Sequence, residues 1–365
     1  MSIDWIEVRA EFPALRHWTY LNTATYGQMP RRANEAMLEH LLDRDNLACS
    51  NFLDWFDDMD RLRERVGRLI HCEAEDVAFI GNASTALGLL LNGIDWREGD
   101  RIVTLEGEFP NNLYAPHFAG AGVEFVETPW EQFYDAITPR TRLVLLSMLN
   151  YASGFRPPLD EIAPYLRERD VLLYVDGTQG LGALQFDVRE TRPSMLAVHG
   201  YKWMLAPTGA GFMYVAPEVR ERLRPNVVGW RSHRGWREVD DLHHGRPEFK
   251  QAAEKYEGGM IPFALLYAME ASANLMLELG PANIERRTLG LADTLRARLR
   301  EAGAVVADGA TPIIAARFPG RDVSAMSRRL KEQRIVVSAR HGFLRVSPHF
   351  YNVEEDIERL MDALG

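Results

Sequence analysis

The chain has 365 residues, of which 46% are hydrophobic and 26% charged, and its formal net charge is −10. That length accommodates two domains, or one large domain with a small one appended, and that balance excludes disordered and fibrous classes. The acidic surplus argues against nucleic acid or an anionic membrane as the main partner, yet leaves room for a local basic pocket around a small phosphate.

The first stretch, MSIDWIEVRAEFPALRHW, carries acids and no uninterrupted apolar run, so it reads as neither a signal peptide nor a membrane anchor. No later segment approaches the roughly 20 apolar residues that span a bilayer. The two cysteines, Cys49 and Cys72, show neither metal spacing nor a disulfide framework, which favours a reducing, cytoplasmic setting for a soluble protein.

From about residue 60 to 215, short apolar runs alternate with amphipathic stretches, the pattern of βα units feeding a mostly parallel, buried sheet. The expected strands are DVAFI (76–80), RIVTL (101–105), VEFVE (123–127), RLVLLSM (142–148), VLLYVD (171–176), MLAVH (195–199) and GFMYV (211–215). Helices fit between them at Ser84 to Leu91, Asn111 to Ala119 and Leu159 to Arg169. The pattern predicts a doubly wound α/β domain. Residues 216–255 then turn irregular and rich in Arg, His and Trp, as functional or interface loops are. A strong helix follows at 261–280 and another at 285–301, and the remaining TPIIAARF, IVVSAR, FLRVSPHF and VEEDIERLMDAL predict a smaller α+β domain.

Ligands of open α/β sheets bind outside the C-terminal ends of the strands, and several polar residues fall there. In GNAST (81–85), Ser84 and Thr85 either hold a phosphate at a helix N-terminus or simply cap the helix. Asp176 ends a buried strand in YVDGTQG; it either pairs with a cationic ring nitrogen or caps the following turn. Lys202 lies 26 positions later, at the end of the next strand, in HGYKWMLAPTG. A desolvated lysine there forms a Schiff base with a carbonyl, whereas an ordinary one snorkels to solvent. Neither a Gly-x-Gly-x-x-Gly nor a Walker loop is present to support a nucleotide-binding reading.

Taken in order, YLNTATYGQMP, GNASTALGLLLNG, GEFPNNLYAP, LNYASGFRPPLDEI, VDGTQGLGALQFDV, HGYKWMLAPTGAGFMYV and FLRVSPHFYNVEEDIERL resemble the class V aminotransferase family of fold-type I pyridoxal-phosphate (PLP) enzymes. That family includes cysteine desulfurases, selenocysteine lyases, kynureninases and isopenicillin-N epimerases. The resemblance implies a large PLP-binding domain at 16–260 and a small C-terminal domain at 261–365. Helix 261–280 would act as connector, and residues 1–15 would join the small domain. It also implies a homodimer with the active site at the interface and a small-molecule amino acid as substrate.

The resemblance implies roles as well. Lys202 is the expected Schiff-base lysine, Asp176 the partner of the pyridinium nitrogen, and Gln179 a contact of the ring's phenolic oxygen. Ser84 and Thr85 are expected at the phosphate, supported by His199 and Tyr201. Phe109 falls at the ring-stacking position, where desulfurases have His and kynureninases Phe followed by Pro. Lys202, Asp176 and Phe109 form the expected catalytic set. Asn150 or Tyr151 is expected near the cofactor, Trp230 at the phosphate of a neighbouring subunit, and Arg345 at the substrate α-carboxylate.

Two departures stand out. The connection before Arg345, VVSARHGFLRVS, lacks the desulfurase cysteine, which argues against persulfide chemistry. Met260 stands in GGMIP where relatives often carry the phosphate-binding threonine of GTP. The resemblance leaves transamination, C–S or C–Se lysis, epimerisation and kynureninase-type hydrolysis open. A catalytically silent binding or scaffold protein on the same fold is the alternative.

Overall fold

In the computed structural model, which describes residues 3–242 and 245–365, the apolar runs of the first half assemble into one seven-stranded sheet. Its strands are β1 (Val77–Ile80), β2 (Arg101–Leu105), β3 (Glu124–Thr128), β4 (Thr141–Ser147), β5 (Leu172–Asp176), β6 (Met195–His199) and β7 (Gly211–Val215). They lie in the order β1-β7-β6-β5-β4-β2-β3. All neighbours pair parallel except β7, which is antiparallel to both β1 and β6. Leu143 to Leu146 and Met195 to Ala197 are fully buried. Strands covered by helices on both faces need such unbroken apolar runs, which is why they were conspicuous in the sequence.

The segment expected as one helix from Asn111 to Ala119 divides. An α-helix spans Pro110–Tyr114, and a tighter 3₁₀ turn continues at Ala115–Phe118. Pro116 has no N–H to donate into the helical ladder. Two long helices, Arg31–Asn46 and Phe52–Ile70, precede the sheet and were not singled out from sequence. The second buries Trp55, Met59, Leu62, Val66 and Leu69 at three- and four-residue spacing. Helix Phe263–Leu279 packs Leu266, Met269, Ala273 and Met276 into the same apolar core as the sheet.

A second core forms around a four-stranded antiparallel sheet, in the order Ser338–Arg340, Phe343–Val346, Ile314–Arg317, Val305–Val306. Helices Pro281–Glu301, Val323–Glu332 and Glu354–Leu364 contribute apolar residues to it. The N-terminal chain reaches this core as well: Leu21 is buried in it, and Thr19–Tyr20 pairs parallel with Ile335–Val336. Arg9 meets Asp356 at 2.8 Å. Among the described residues no helix is long and apolar enough to cross a membrane.

The irregular 216–255 excursion is held by buried charge; His243 and His244 lie outside the described residues. Arg231 is fully buried and bonds Glu254 and Glu257, the latter at 2.9 Å. Glu257 also receives Arg63 of helix Phe52–Ile70 and the Phe79 N–H of β1. Glu257 thereby ties the loop, the helix and the sheet together, and Glu254 and Asp60 supply the remaining counter-charge for Arg231 and Arg63.

Glu257→Ala should cost about 1.5–3 kcal/mol, because two buried guanidinium groups each lose a charged partner while Arg231 keeps Glu254 and Arg63 keeps Asp60. Arg237→Ala, which breaks exposed pairs with Asp57 and Asp60, should cost less than about 1 kcal/mol. Denaturant midpoints of the two variants check this, and equal midpoints would remove the assigned role of Glu257.

Candidate active site

β1, β2, β4, β5 and β6 all end at one edge of the sheet, so the polar residues that follow them converge. They line one cleft that includes Ser84, Phe109, Tyr151, Asp176, Gln179, His199, Tyr201 and Lys202. Eight residues scattered over nearly 120 positions thus share one cavity.

Lys202 occupies the turn after β6 and is only 6% exposed. The N-terminal chain packs directly on this turn. The Gly27 N–H donates to the Tyr201 carbonyl at 2.9 Å, and a Cβ on Gly27 would sit 1.9 Å from the Lys202 carbonyl oxygen. Only glycine allows that approach. From the other side His349 lies 2.9 Å from the Trp203 carbonyl through Nε2, while its Nδ1 accepts the Phe350 N–H. Burial holds the His349 pKa down to about 3, so the ring is neutral and its Nε2–H is the donor.

Burial also pushes the Lys202 amine down to about 8; Asp176 opposes that shift, and Arg345 and Arg340 add to it. Asp176, at the end of β5, is raised by burial against the hydrogen bonds from Thr178 and the charge of Lys202. The Thr178 N–H donates to its Oδ1 at 2.9 Å. Each of the two groups thus favours the charged form of the other in a site that disfavours both charges. The Lys202 ammonium lies 5.4 Å from the centre of the Phe109 ring and 5.3 Å from that of Tyr201.

His199 is held neutral, its pKa lowered to about 4 by burial and by Lys202. Its Nε2 accepts the Gly209 N–H at 3.2 Å, which leaves the ring proton on Nδ1 as a donor. Gln179 accepts from Trp203 Nε1 at 3.0 Å and donates to the Ala24 carbonyl at 3.1 Å, keeping one amide N–H in reserve. Phe109 is 42% exposed and packs edge-to-face on Tyr151 at 5.2 Å.

Other expected residues stand elsewhere. The cap of helix Ala83–Gly93 is Asn82, whose oxygen takes both the Thr85 N–H at 2.9 Å and the Thr85 hydroxyl at 3.2 Å. Ser84 is thereby left to face the cleft, and Thr85 does not line it. Tyr151, rather than Asn150, reaches the cavity. The Asn150 oxygen instead accepts from Ala152 and Ser153, and its nitrogen donates to the Gly107 carbonyl. Trp230 packs on Phe56 and Trp236, away from this chain's cleft, and both Trp230 and Met260 are exposed. Arg345 is 2% exposed and donates to the Tyr151 carbonyl and to the Thr25 hydroxyl, each at 2.6 Å.

Sequence reasoning passed over Asn111, Ser147 and Thr178, which also line the cleft, and over Glu108 behind it. Glu108 bonds the Ser147 N–H at 2.7 Å and also its hydroxyl. Burial, reinforced by Asp176, pushes its carboxyl above the usual range. A charged residue flanking the apolar run RIVTL was the available signal.

These donors and acceptors fit PLP. A helix start with a free serine hydroxyl and a histidine Nδ1–H suits a phosphate, a buried carboxylate suits a ring nitrogen, and a depressed lysine suits an aldehyde. The family model for class-V aminotransferases matches residues 19–360. The chain belongs to the class-V aminotransferase family. Among curated relatives, the isopenicillin N epimerase of Streptomyces clavuligerus is 27% identical over 99% of this chain and 98% of its own. A probable cysteine desulfurase of Methanothermobacter thermautotrophicus is 24% identical over 98% and 96%. Among solved structures, a mutant of C-DES with glycine covalently linked to its PLP cofactor superimposes with a TM-score of 0.91, at 22% identity, over 100% of this chain and 99% of that one.

In the PLP-free protein, an amine-directed acylating reagent should modify Lys202 with a rate that rises through pH 8, well below the range of ordinary lysines. Asp176→Asn should move that midpoint lower, because it removes the charge that favours the ammonium. Peptide mapping of the labelled lysine at several pH values checks this; labelling of Lys202 only above pH 10 would contradict it.

Proposed function

We propose that the protein is a PLP-dependent enzyme that removes the α-proton of an amino acid. The observation that carries this reading is the buried Lys202 beside the buried Asp176 in a single cleft at the strand ends. Lys202 is the residue that attaches the cofactor. Asp176 would face the ring nitrogen, Ser84 and the His199 Nδ1–H the phosphate, the spare Gln179 N–H the phenolic oxygen, and Phe109 the ring. When bound, PLP supplies an electron sink that stabilises negative charge at the substrate α-carbon.

The chain's own groups do the rest. Arg345 presents a preorganised guanidinium to the α-carboxylate, its plane fixed by Tyr151 and Thr25. The Lys202 amine would accept the α-proton, and a pKa of about 8 leaves an appreciable neutral fraction near pH 7. A scaffold protein would require none of Lys202, Asp176 and Arg345.

Persulfide-forming desulfuration is not favoured. Neither cysteine lines the cleft, and Cys72 is half-buried with its thiol pushed up to about 12 by partial burial and neighbouring acids. Elimination, epimerisation and transamination all begin with the proton transfer proposed here. We further propose a homodimer, supported by the exposed apolar patch of Val227, Val228, Trp230 and Met260 and by exposed Leu38, Leu41 and Leu42 on helix Arg31–Asn46.

PLP-loaded protein should show a visible absorbance band that Lys202→Ala abolishes, and it should exchange the α-proton of an accepted amino acid with deuterium from solvent. Nuclear magnetic resonance across an amino-acid panel reads the exchange. A protein that takes up no PLP, or exchange that persists in Lys202→Ala, would overturn the proposal.

A further inference from the structure

The hairpin formed by Ser338–Arg340 and Phe343–Val346 turns on two residues, His341 at φ 49° and Gly342 at φ 81°. Two positive φ values suit the strand twist of a tight hairpin; glycine adopts them freely, and histidine does so at a cost. An external bond holds the strained residue. His341 Nε2 and the Tyr151 hydroxyl lie 2.8 Å apart, and Tyr151 packs on Phe109, whose ring faces Lys202. The tip of the hairpin is thereby fastened at the mouth of the cleft.

Both arms of this hairpin carry an arginine. Arg345 has Nη1 and Nη2 engaged, and its buried Nε has no partner. Arg340 is half-buried, and among the described residues its guanidinium donates only to the neighbouring Ala339 carbonyl and meets no carboxylate. It still acts electrostatically on both Lys202 and Arg345, lowering the proton affinity of each. Several other shielded arginines of this acidic chain are neutralised: Arg220 pairs with Asp76, Arg9 with Asp356 and Arg287 with Glu354. Two guanidinium groups of this hairpin thus act electrostatically on Lys202, against one carboxylate in the cleft lining, Asp176.

With Arg345 assigned to the α-carboxylate, Arg340 has no counter-ion until substrate arrives. We propose that Arg340, flanked by His341 and Tyr151, forms a subsite for an anionic group on the substrate side chain, so that the substrate class is an amino acid with a distal carboxylate. This rests on the PLP-dependent function proposed above. A planar guanidinium accepts a carboxylate in two-pronged fashion, and the Tyr151–His341 pair offers a further donor at the same rim.

The test compares binding of L-aspartate and L-glutamate with that of L-asparagine and L-glutamine to PLP-loaded protein, by calorimetry. At least one acid should bind about tenfold or more tightly than its amide, the size expected of a charge-assisted contact. Arg340→Gln should bring that ratio close to one, Arg340→Lys should retain part of it, and Arg345→Ala should weaken acids and amides alike. Matching thermal melts establish that each variant is folded; if the glutamine variant is not, the lysine variant carries the test alone. Equal affinities for acids and amides in the wild type, or an acid preference undiminished in Arg340→Gln (or, where that variant does not fold, undiminished in Arg340→Lys), would overturn the subsite. Failure to take up PLP would instead defeat the underlying function, so the two failures are distinguishable.

Discussion

The structure is organised around the burial of one amine beside one carboxylate at the edge of an apolar sheet. Lys202 and Asp176 are each 6% exposed. Neither charge is stable there alone, because the low-polarity surroundings penalise it more than water would. The pair is tolerable only if the two strand ends hold their positions closely, and much of the surrounding architecture serves that requirement. β5 and β6 fix the spacing through parallel pairing, the N-terminal chain presses Gly27 against the lysine turn, and His349, in the segment that follows strand Phe343–Val346, holds the same turn from the other side.

The two cores meet this site from opposite directions. The seven-stranded sheet contributes the groups suited to a cofactor, all at strand ends. The four-stranded sheet contributes Arg345, Arg340 and His341 on a single hairpin, connected back across the cleft through Tyr151 and Thr25. On the function proposed above, such a division would separate the cofactor groups, which need rigid strand ends, from substrate recognition, which a hairpin could alter without disturbing the sheet.

Much of this was legible in the sequence for a specific reason. Six of the seven strands are buried almost throughout, so their apolar runs are continuous, whereas the edge strand Glu124–Thr128 is only partly buried; the expected boundaries of all seven agree with the structure to within a residue or two. Asp176 and Lys202 are readable because each interrupts such a run at its C-terminal end. Phe109 and Arg345 were reached through motif order rather than through any local pattern. The helix Phe52–Ile70 shows how a clear period is overlooked: its buried face contains Arg63 and is flanked by Asp and Arg pairs, which dilute the apolar signal.

Local sequence determined which residues enter strands and which charges stand at their ends, because both depend on spacing along one chain. It did not determine who meets whom across the cleft. Asn150 and Tyr151 are adjacent in sequence, yet one holds a turn and the other faces the cavity, an outcome set by the loop's hydrogen bonds. Ser84 is free because Asn82 takes the cap. The contact of Tyr151 with His341 spans 190 positions and exists only because the two sheets pack against each other. Long-range contacts between half-exposed polar side chains leave no periodic trace, so tertiary structure alone decided them.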